Sequence, residues 1–278
     1  MNLWFTENQT DNLRLSFRVK NLVEFRKSKF QTLAVYDTVE YGRLFTLDDF
    51  VMLTEKDEFV YHEMISHIAL SCHPKPENIL VIGGGDGGTI REIERHSRVK
   101  NITLVEIDRE VVEISKKHLP FVACGFDDER VSVIIDDGIE YIKNHKNKFD
   151  IIFIDSTDPV AFAEGLFHTD FYKFVFDALK KDGIMVAQTE YPFLKGDFIK
   201  EVFSSLKQVF PIVSPYLAFI PTYPTGMWSF AFASKKYHYI NDLNPEFTKD
   251  FAEKLKYYTP EVHKAAFALP KFVKDLIE

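Results

Sequence analysis

The sequence predicts an α/β chain: a doubly wound, mostly parallel sheet preceded by a small antiparallel β domain. Three features predict it. Asn78 to Arg91, NILVIGGGDGGTIR, reads as a buried strand, a glycine loop and the start of a helix. Beyond that loop, apolar runs alternate with helical patterns, which builds a parallel sheet covered by helices on both faces. Before it, apolar residues alternate with polar ones, the period of half-buried strands. The division expected is an N-terminal β-stranded domain, residues 1–57, and an α/β domain, residues 58–278.

In the first domain Leu13, Leu15, Phe17 and Val19 alternate with polar residues, and Val23 and Phe25, then Leu33 and Val35, repeat the pattern. Tyr41-Gly42 marks a turn, and Asp48-Asp49 between two apolar runs reads as a hairpin turn. From Glu58 the period becomes helical, with Phe59, Met64, Ile65, Ile68 and Ala69 in a stripe that ends before Pro74. After the glycine-loop strand the expected strands are Ile102 to Ile107, Val131 to Ile135, Phe149 to Asp155 and Ile184 to Thr189. The helices between them are Val111 to His118, Ile139 to Asn144 and Phe171 to Leu179, the last ended by Lys180-Lys181-Asp182-Gly183. A helix from Phe198 to Val209 and an antiparallel pair, Val213 to Phe219 with Met227 to Ala233, complete the sheet.

Composition excludes several classes. A net charge of −8 argues against a nucleic-acid partner and suits a small polycation. Two cysteines make no disulfide framework and point to a reducing, cytoplasmic setting. The first residues lack the basic and apolar regions of a signal peptide, and no stretch is apolar enough to span a membrane. The nine histidines show no metal-ligand spacing, and His62 and His67 read as core or solvated helix residues.

In such sheets ligands bind beyond the carboxyl ends of the strands. Acids stand at each end: Asp86, Glu106 with Asp108, Asp136 with Asp137, Asp155 with Asp158, and Glu190. Asp86 interrupts a loop whose amides would otherwise suit a pyrophosphate, so the ligand is expected to be cationic there. Glu106, closing the next strand, stands where an acid accepts both hydroxyls of a ribose. Asp137-Gly138 could serve the amine edge of an adenine, or Asp137 could simply cap its helix; for Asp108 the cap is the expected role. Asp155, delivered by four apolar residues, suits a general base for an amine or a holder of an ammonium. Tyr61 and Tyr223 are candidate walls of the same crevice.

GGGDGG, VEID, DDG, DSTDP, PTYPTG and the tail YYTPEVHKAAFALPKF resemble the polyamine aminopropyltransferases, the family of the spermidine synthases. WFTE, Gln31, Leu47-Asp48 and TEKDEFVYHEM match as well, so the resemblance runs through nearly the whole chain. It implies a methyltransferase-like Rossmann domain, and transfer of the aminopropyl group of decarboxylated S-adenosylmethionine to putrescine, giving spermidine and methylthioadenosine. It also implies no metal, no cofactor beyond that co-substrate, and a homodimer or homotetramer. Carried over, Asp155 is catalytic. Gln31, Gly83, Asp86, Glu106, Asp137, Gly138 and Asp155 fall on the donor side. Tyr61, His62, Asp158, Glu190 and Tyr223 fall on the acceptor side, with Glu190 toward the distal ammonium. The chain departs from the family at Asp49, where a Gly is usual, at Met52, where some members have Gln, at the bulkier Val160 to Ala163, and at Phe193, which replaces a common Trp.

Two other enzyme readings share the fold: an S-adenosylmethionine-dependent methyltransferase and, with Asp86 against it, an NAD-dependent dehydrogenase. A catalytically silent polyamine- or nucleoside-binding module is a reading of another class. Putrescine, cadaverine, propylamines and agmatine all remain open as acceptors.

Overall fold

The computed structural model describes residues 3–156, 166 and 168–278. The chain begins with a five-stranded antiparallel sheet in sequential order: β1 Leu3–Asn8, β2 Arg14–Lys27, β3 Thr32–Thr38, β4 Arg43–Leu47 and β5 Phe50–Thr54. Asp48 and Asp49 both take positive φ, 47° and 64°, in the β4–β5 turn, the two-residue geometry that matches strand twist. Two features differ from the sequence reading. β1 is a full partner of β2, from Leu3 opposite Val19 to Asn8 opposite Arg14. And Leu15 to Phe25 lie on one continuous strand, which stays paired to β3 through register shifts after Val19 and Leu22.

The second unit runs α1 Glu58–Cys72, β6 Asn78–Gly83, α2 Gly88–Glu94, β7 Asn101–Glu106, α3 Arg109–His118, α4 Pro120–Ala123, β8 Val131–Ile135, α5 Gly138–Lys143, β9 Phe149–Asp155, α6 Thr169–Ala178, β10 Leu179–Gln188, α7 Gly196–Val209, β11 Ile212–Phe219 and β12 Met227–Ser234. Two short helices follow, α8 Pro260–Ala266 and α9 Lys271–Ile277. The seven-stranded sheet has the order β11-β12-β10-β9-β6-β7-β8, parallel from β10 to β8 and antiparallel at β12 and β11. The chain leaves β6 toward β7 and later returns as β9 on the other side. The topological switch therefore lies between β6 and β9, which is where ligands bind in open α/β sheets.

One expectation fails at β10. The helix ends at Ala178, and Lys180 to Gly183 lie in the strand instead of capping the helix. Leu179 is buried opposite Phe149, the ladder shifts register before Ile184, and Lys180 Nζ reaches Asp150 at 2.9 Å. A Cβ on Gly183 would come within 2.8 Å of Leu179, so this glycine serves close packing.

Apolar layers cover both faces of the large sheet. Met64, Ile65 and Ile68 of α1 pack with Val81, Phe153 and Phe230 on one side; Ile142, Phe171, Val175 and Val202 pack with Leu80, Ile152 and Met185 on the other. α1 is buried nearly all round, which explains its weak amphipathic pattern. The small sheet docks on the large unit through Leu33, Val35, Phe45 and Leu53 against Val111, Ile114, Leu119 and Val122.

Candidate active site

β6 and β9 run side by side, and their last paired residues are Gly83 and Asp155. The Gly84 amide donates to the Asp155 carbonyl at 2.7 Å. Gly83 and Gly84 take φ of 78° and 68°, and a Cβ on either would strike Asp155, at 2.2 Å from its carbonyl oxygen and 2.8 Å from Oδ2. The glycines are thus required by the neighbouring strand as well as by any ligand. Asp155 is 9% exposed and receives two short hydrogen bonds, from the Tyr61 hydroxyl to Oδ1 and from the Thr89 hydroxyl to Oδ2, both 2.6 Å. Burial, and then the charge of Asp86, raise its pKa; His62, Thr89 and Tyr61 act the other way. Thr89 did not stand out in the sequence; its place directly behind the glycine loop is the signal that could have found it.

Asp86 caps its own loop, accepting from the Gly88 amide at 2.7 Å. Burial alone would raise its carboxyl, but His62, the Gly88 amide and Arg91 hold it below the ordinary carboxylate range. Two neighbouring acids whose environments push them apart are a common mark of an acid–base site. His62 has carboxylates at both ring nitrogens, Glu58 at 2.6 Å from Nδ1 and Asp86 at 3.3 Å from Nε2. A neutral imidazole would turn a lone pair toward one of them, so the ring is an imidazolium. Burial opposes that charge, yet Asp86 and Glu58 together push its pKa up to about 10. Glu58 is in turn held by both terminal nitrogens of Arg91. Gly88 provides the space, since a Cβ there would lie 2.3 Å from the imidazole. His62, expected among the acceptor-side residues, thus lines the cavity as the partner of Asp86.

Glu106 lies beside the loop, 7% exposed, with Oε1 accepting from the Asp108 amide at 2.9 Å. Burial pushes its pKa up to about 7 despite that bond and one from Gly85. Gln31 reaches over from the small sheet, its Nε2 donating to Asp108 at 3.0 Å. Asp137 caps α5 through Oδ1, which accepts from Ile139 and Glu140; the cap engages one of its two oxygens.

These groups line one cavity of about 120 Å³: Gln31, Gly83, Asp86, Glu106, Asp137, Gly138 and Asp155, with Tyr61, His62 and Tyr223 at one side. A second cavity of about 50 Å³ opens beside it, and Met52, Tyr61, Ser156 and Tyr223 line both. Its remaining walls include Glu7, Gln188, Tyr191 and Trp228. The Tyr223 hydroxyl donates to the Met52 carbonyl at 2.6 Å and so ties the β5 hairpin to the large unit at the junction. Glu190 does not line either cavity. It is fully buried, its φ is 71°, and Ser229 donates to its carbonyl through both N and Oγ. The chain turns there, and its neighbours Gln188 and Tyr191 line the second cavity. Glu7, unmarked in the sequence reading beyond its place in WFTE, lines the second cavity, its carboxylate accepting from Gln9 Nε2 and the Val51 amide. Asp158 and the Val160 to Ala163 stretch lie outside the described residues.

The chain is similar to known proteins along its whole length. Residues 58–245 match the family described as spermine/spermidine synthase domain, and residues 3–55 match the spermidine synthase tetramerisation domain. Polyamine aminopropyltransferases of Thermoanaerobacter sp. strain X514 and of Caldicellulosiruptor bescii are each 51% identical, over 279 and 278 residues, covering 100% of this chain and 99% of each relative. A crystal structure of a spermidine synthase in complex with the transition state analogue AdoDATO superposes with a TM-score of 0.97 at 44% identity, covering 99% of this chain and 94% of that one. The spermidine synthase of Thermotoga maritima superposes with a TM-score of 0.96, also at 44% identity, over 100% of this chain and 94% of that one.

Proposed function

This chain belongs to the spermine/spermidine synthase family and is a polyamine aminopropyltransferase, and from that premise we propose its substrates: decarboxylated S-adenosylmethionine as donor and putrescine as acceptor, giving spermidine and methylthioadenosine. The observation that supports this most is the pair of cavities meeting beside Asp155. The larger, with Glu106, Asp137 and Asp86, suits a nucleoside that ends in an ammonium. The smaller, with aromatic walls and Glu7, suits a short diamine.

The amine lone pair attacks the methylene carbon next to the sulfonium, the C–S bond breaks, and the thioether leaves with its electron pair. Asp155 takes the proton that the amine sheds. A sulfonium is already a good leaving group, so the step requires neither a metal nor a covalent intermediate. Alignment of the two substrates can supply up to roughly 7–11 kcal/mol of the barrier. Tyr61 and Thr89 hold Asp155 toward the junction by their hydroxyls. Glu106 accepts the ribose hydroxyls, and the free oxygen of Asp137 with the Gly138 backbone takes the adenine edge. Glu7 meets the distal ammonium.

Assembly as a homodimer or homotetramer is supported by the match of the first domain and by its exposed apolar side chains, Trp4 at 58% and Phe25 at 60%. Cys72 and Cys124, both unpaired, fit a cytoplasmic setting.

An acceptor panel incubated with decarboxylated S-adenosylmethionine, with methylthioadenosine followed by chromatography, tests the reading. Putrescine should turn over fastest. Methyl transfer from ordinary S-adenosylmethionine would favour a methyltransferase, and ligand binding without any turnover would favour a silent binding module.

A further inference from the structure

Asp108 is 2% exposed and stands between the two domains. Its Oδ1 caps α3, accepting from the Glu110 amide at 3.1 Å. Its Oδ2 accepts from two groups of the small sheet, the Ser28 hydroxyl at 2.6 Å and Gln31 Nε2 at 3.0 Å. Its own amide donates to Glu106 Oε1. One residue thus holds two side chains that line the nucleoside cavity, one from each domain. The surroundings keep this joint in place. Ser28 Oγ also accepts from the amides of Phe30 and Gln31, which folds the loop leading into β3. Further along α3, Arg26 pairs with Glu110 at 2.5 Å, and Glu24 receives Lys117 and His118 at 2.6 and 2.5 Å. Beneath these polar contacts lies the apolar seam of Leu33, Val35, Val111 and Ile114.

The chemistry of the joint decides which end of the Gln31 amide faces the ligand. An ionised carboxylate only accepts, so the NH₂ end must turn to Asp108 and the carbonyl oxygen is left for the cavity. We propose that Asp108 is a positioning residue for donor recognition: it orients the Gln31 amide so that Gln31 offers a hydrogen-bond acceptor to a hydroxyl of the donor's nucleoside, beside the acceptor Glu106. The inference rests on the donor reading given above and adds a residue that touches no substrate.

The test is a double-mutant cycle read by calorimetry with methylthioadenosine, with putrescine KM measured in parallel. Asp108→Asn retains a good helix cap but turns a donor toward Ser28 and Gln31. Asp108→Asn and Gln31→Ala should each weaken methylthioadenosine about tenfold, and the double variant should be no more than about twofold weaker than Gln31→Ala, as expected for residues acting through one contact. Putrescine KM should stay within about twofold of wild type. Independent effects that multiply in the double variant would overturn the inference, as would wild-type binding by Asp108→Asn when Gln31→Ala is impaired. Failure of the wild-type protein to bind methylthioadenosine would instead overturn the donor reading, and the inference with it.

Discussion

His62 Nε2 stands 3.3 Å from Asp86 Oδ1, and the pair shares a wall of the nucleoside cavity. The acid at the heart of the glycine loop already has a cationic partner before any substrate arrives. Asp86 is thereby kept ionised, and the burden of the raised pKa falls on Asp155.

The first consequence concerns stability against pH. The pKa of His62 rises on folding from the ordinary 6.5 to about 10. A raised pKa means that the folded state binds the proton more tightly, so the stabilisation is fully present below pH 6.5 and is lost as pH rises through about 10. Removing one member of a buried ion pair costs about 3–5 kcal/mol. His62→Gln should therefore melt lower at pH 7, and its deficit should shrink steadily toward pH 10. Melting curves taken at half-unit steps read this, and a deficit independent of pH would show that His62 is neutral.

Asp86 is expected to discriminate the decarboxylated donor from S-adenosylmethionine, whose extra carboxylate it would face. Two like charges 4 Å apart repel by about 4 kcal/mol at an effective dielectric constant of 20. The neighbouring His62 charge makes that an upper bound. Asp86→Asn should weaken the decarboxylated donor and narrow the gap between the two; calorimetry that finds the wild-type ratio would place discrimination elsewhere.

Asp155→Asn should lower turnover by about 10²–10⁴ while the protein stays folded, in line with loss of a general base. Asparagine can still accept from Tyr61 and Thr89 with its single oxygen only in part, so a drop of a few degrees in Tm is expected as well. Near-normal turnover in a folded Asp155→Asn variant would remove Asp155 from the chemistry.

Glu106 predicts a pH dependence of nucleoside affinity. Its carboxyl, raised by burial to about 7, must be ionised to accept two ribose hydroxyls. Below that value one proton has to leave on binding, so affinity for methylthioadenosine should rise about tenfold per pH unit up to pH 7 and level off above it. Glu106→Gln should bind more weakly with a flat profile from pH 5.5 to 8.5. A profile with the same slope in both proteins would assign the proton to another group.

Acceptor choice separates Glu7 from Glu190. Glu7 lines the smaller cavity and Glu190 does not. Losing one charge-assisted hydrogen bond costs about 1.5–3 kcal/mol. Glu7→Gln should raise the KM for putrescine about tenfold or more and leave a monoamine nearly unchanged, while Glu190→Gln affects both acceptors alike. A diamine-selective loss in Glu190→Gln instead would return the distal ammonium to Glu190.

The acids that build the nucleoside cavity were visible in the sequence because each one stands just beyond a mostly apolar strand. Ile79 to Ile82 and Ile151 to Ile154 are unbroken apolar runs, and Ile102 to Val105 is interrupted only by Thr103, so the residues beyond them emerge together at one sheet edge. Asp86, Glu106, Asp137 and Asp155 were legible for that reason, as was the helix cap at Asp108. The same reading did not foresee the turn at Glu190, since backbone at a positive φ redirects the chain by an amount no periodicity records. It also missed Thr89 on Asp155, Met52 beneath Tyr223, His62 as a cation, and the contact of Gln31 with Asp108. Residues 31 and 108 carry no mark of each other in the sequence. They meet because the small sheet docks on α3 through an apolar seam, and only that docking decides which side chains face across it and which end of an amide remains for a ligand.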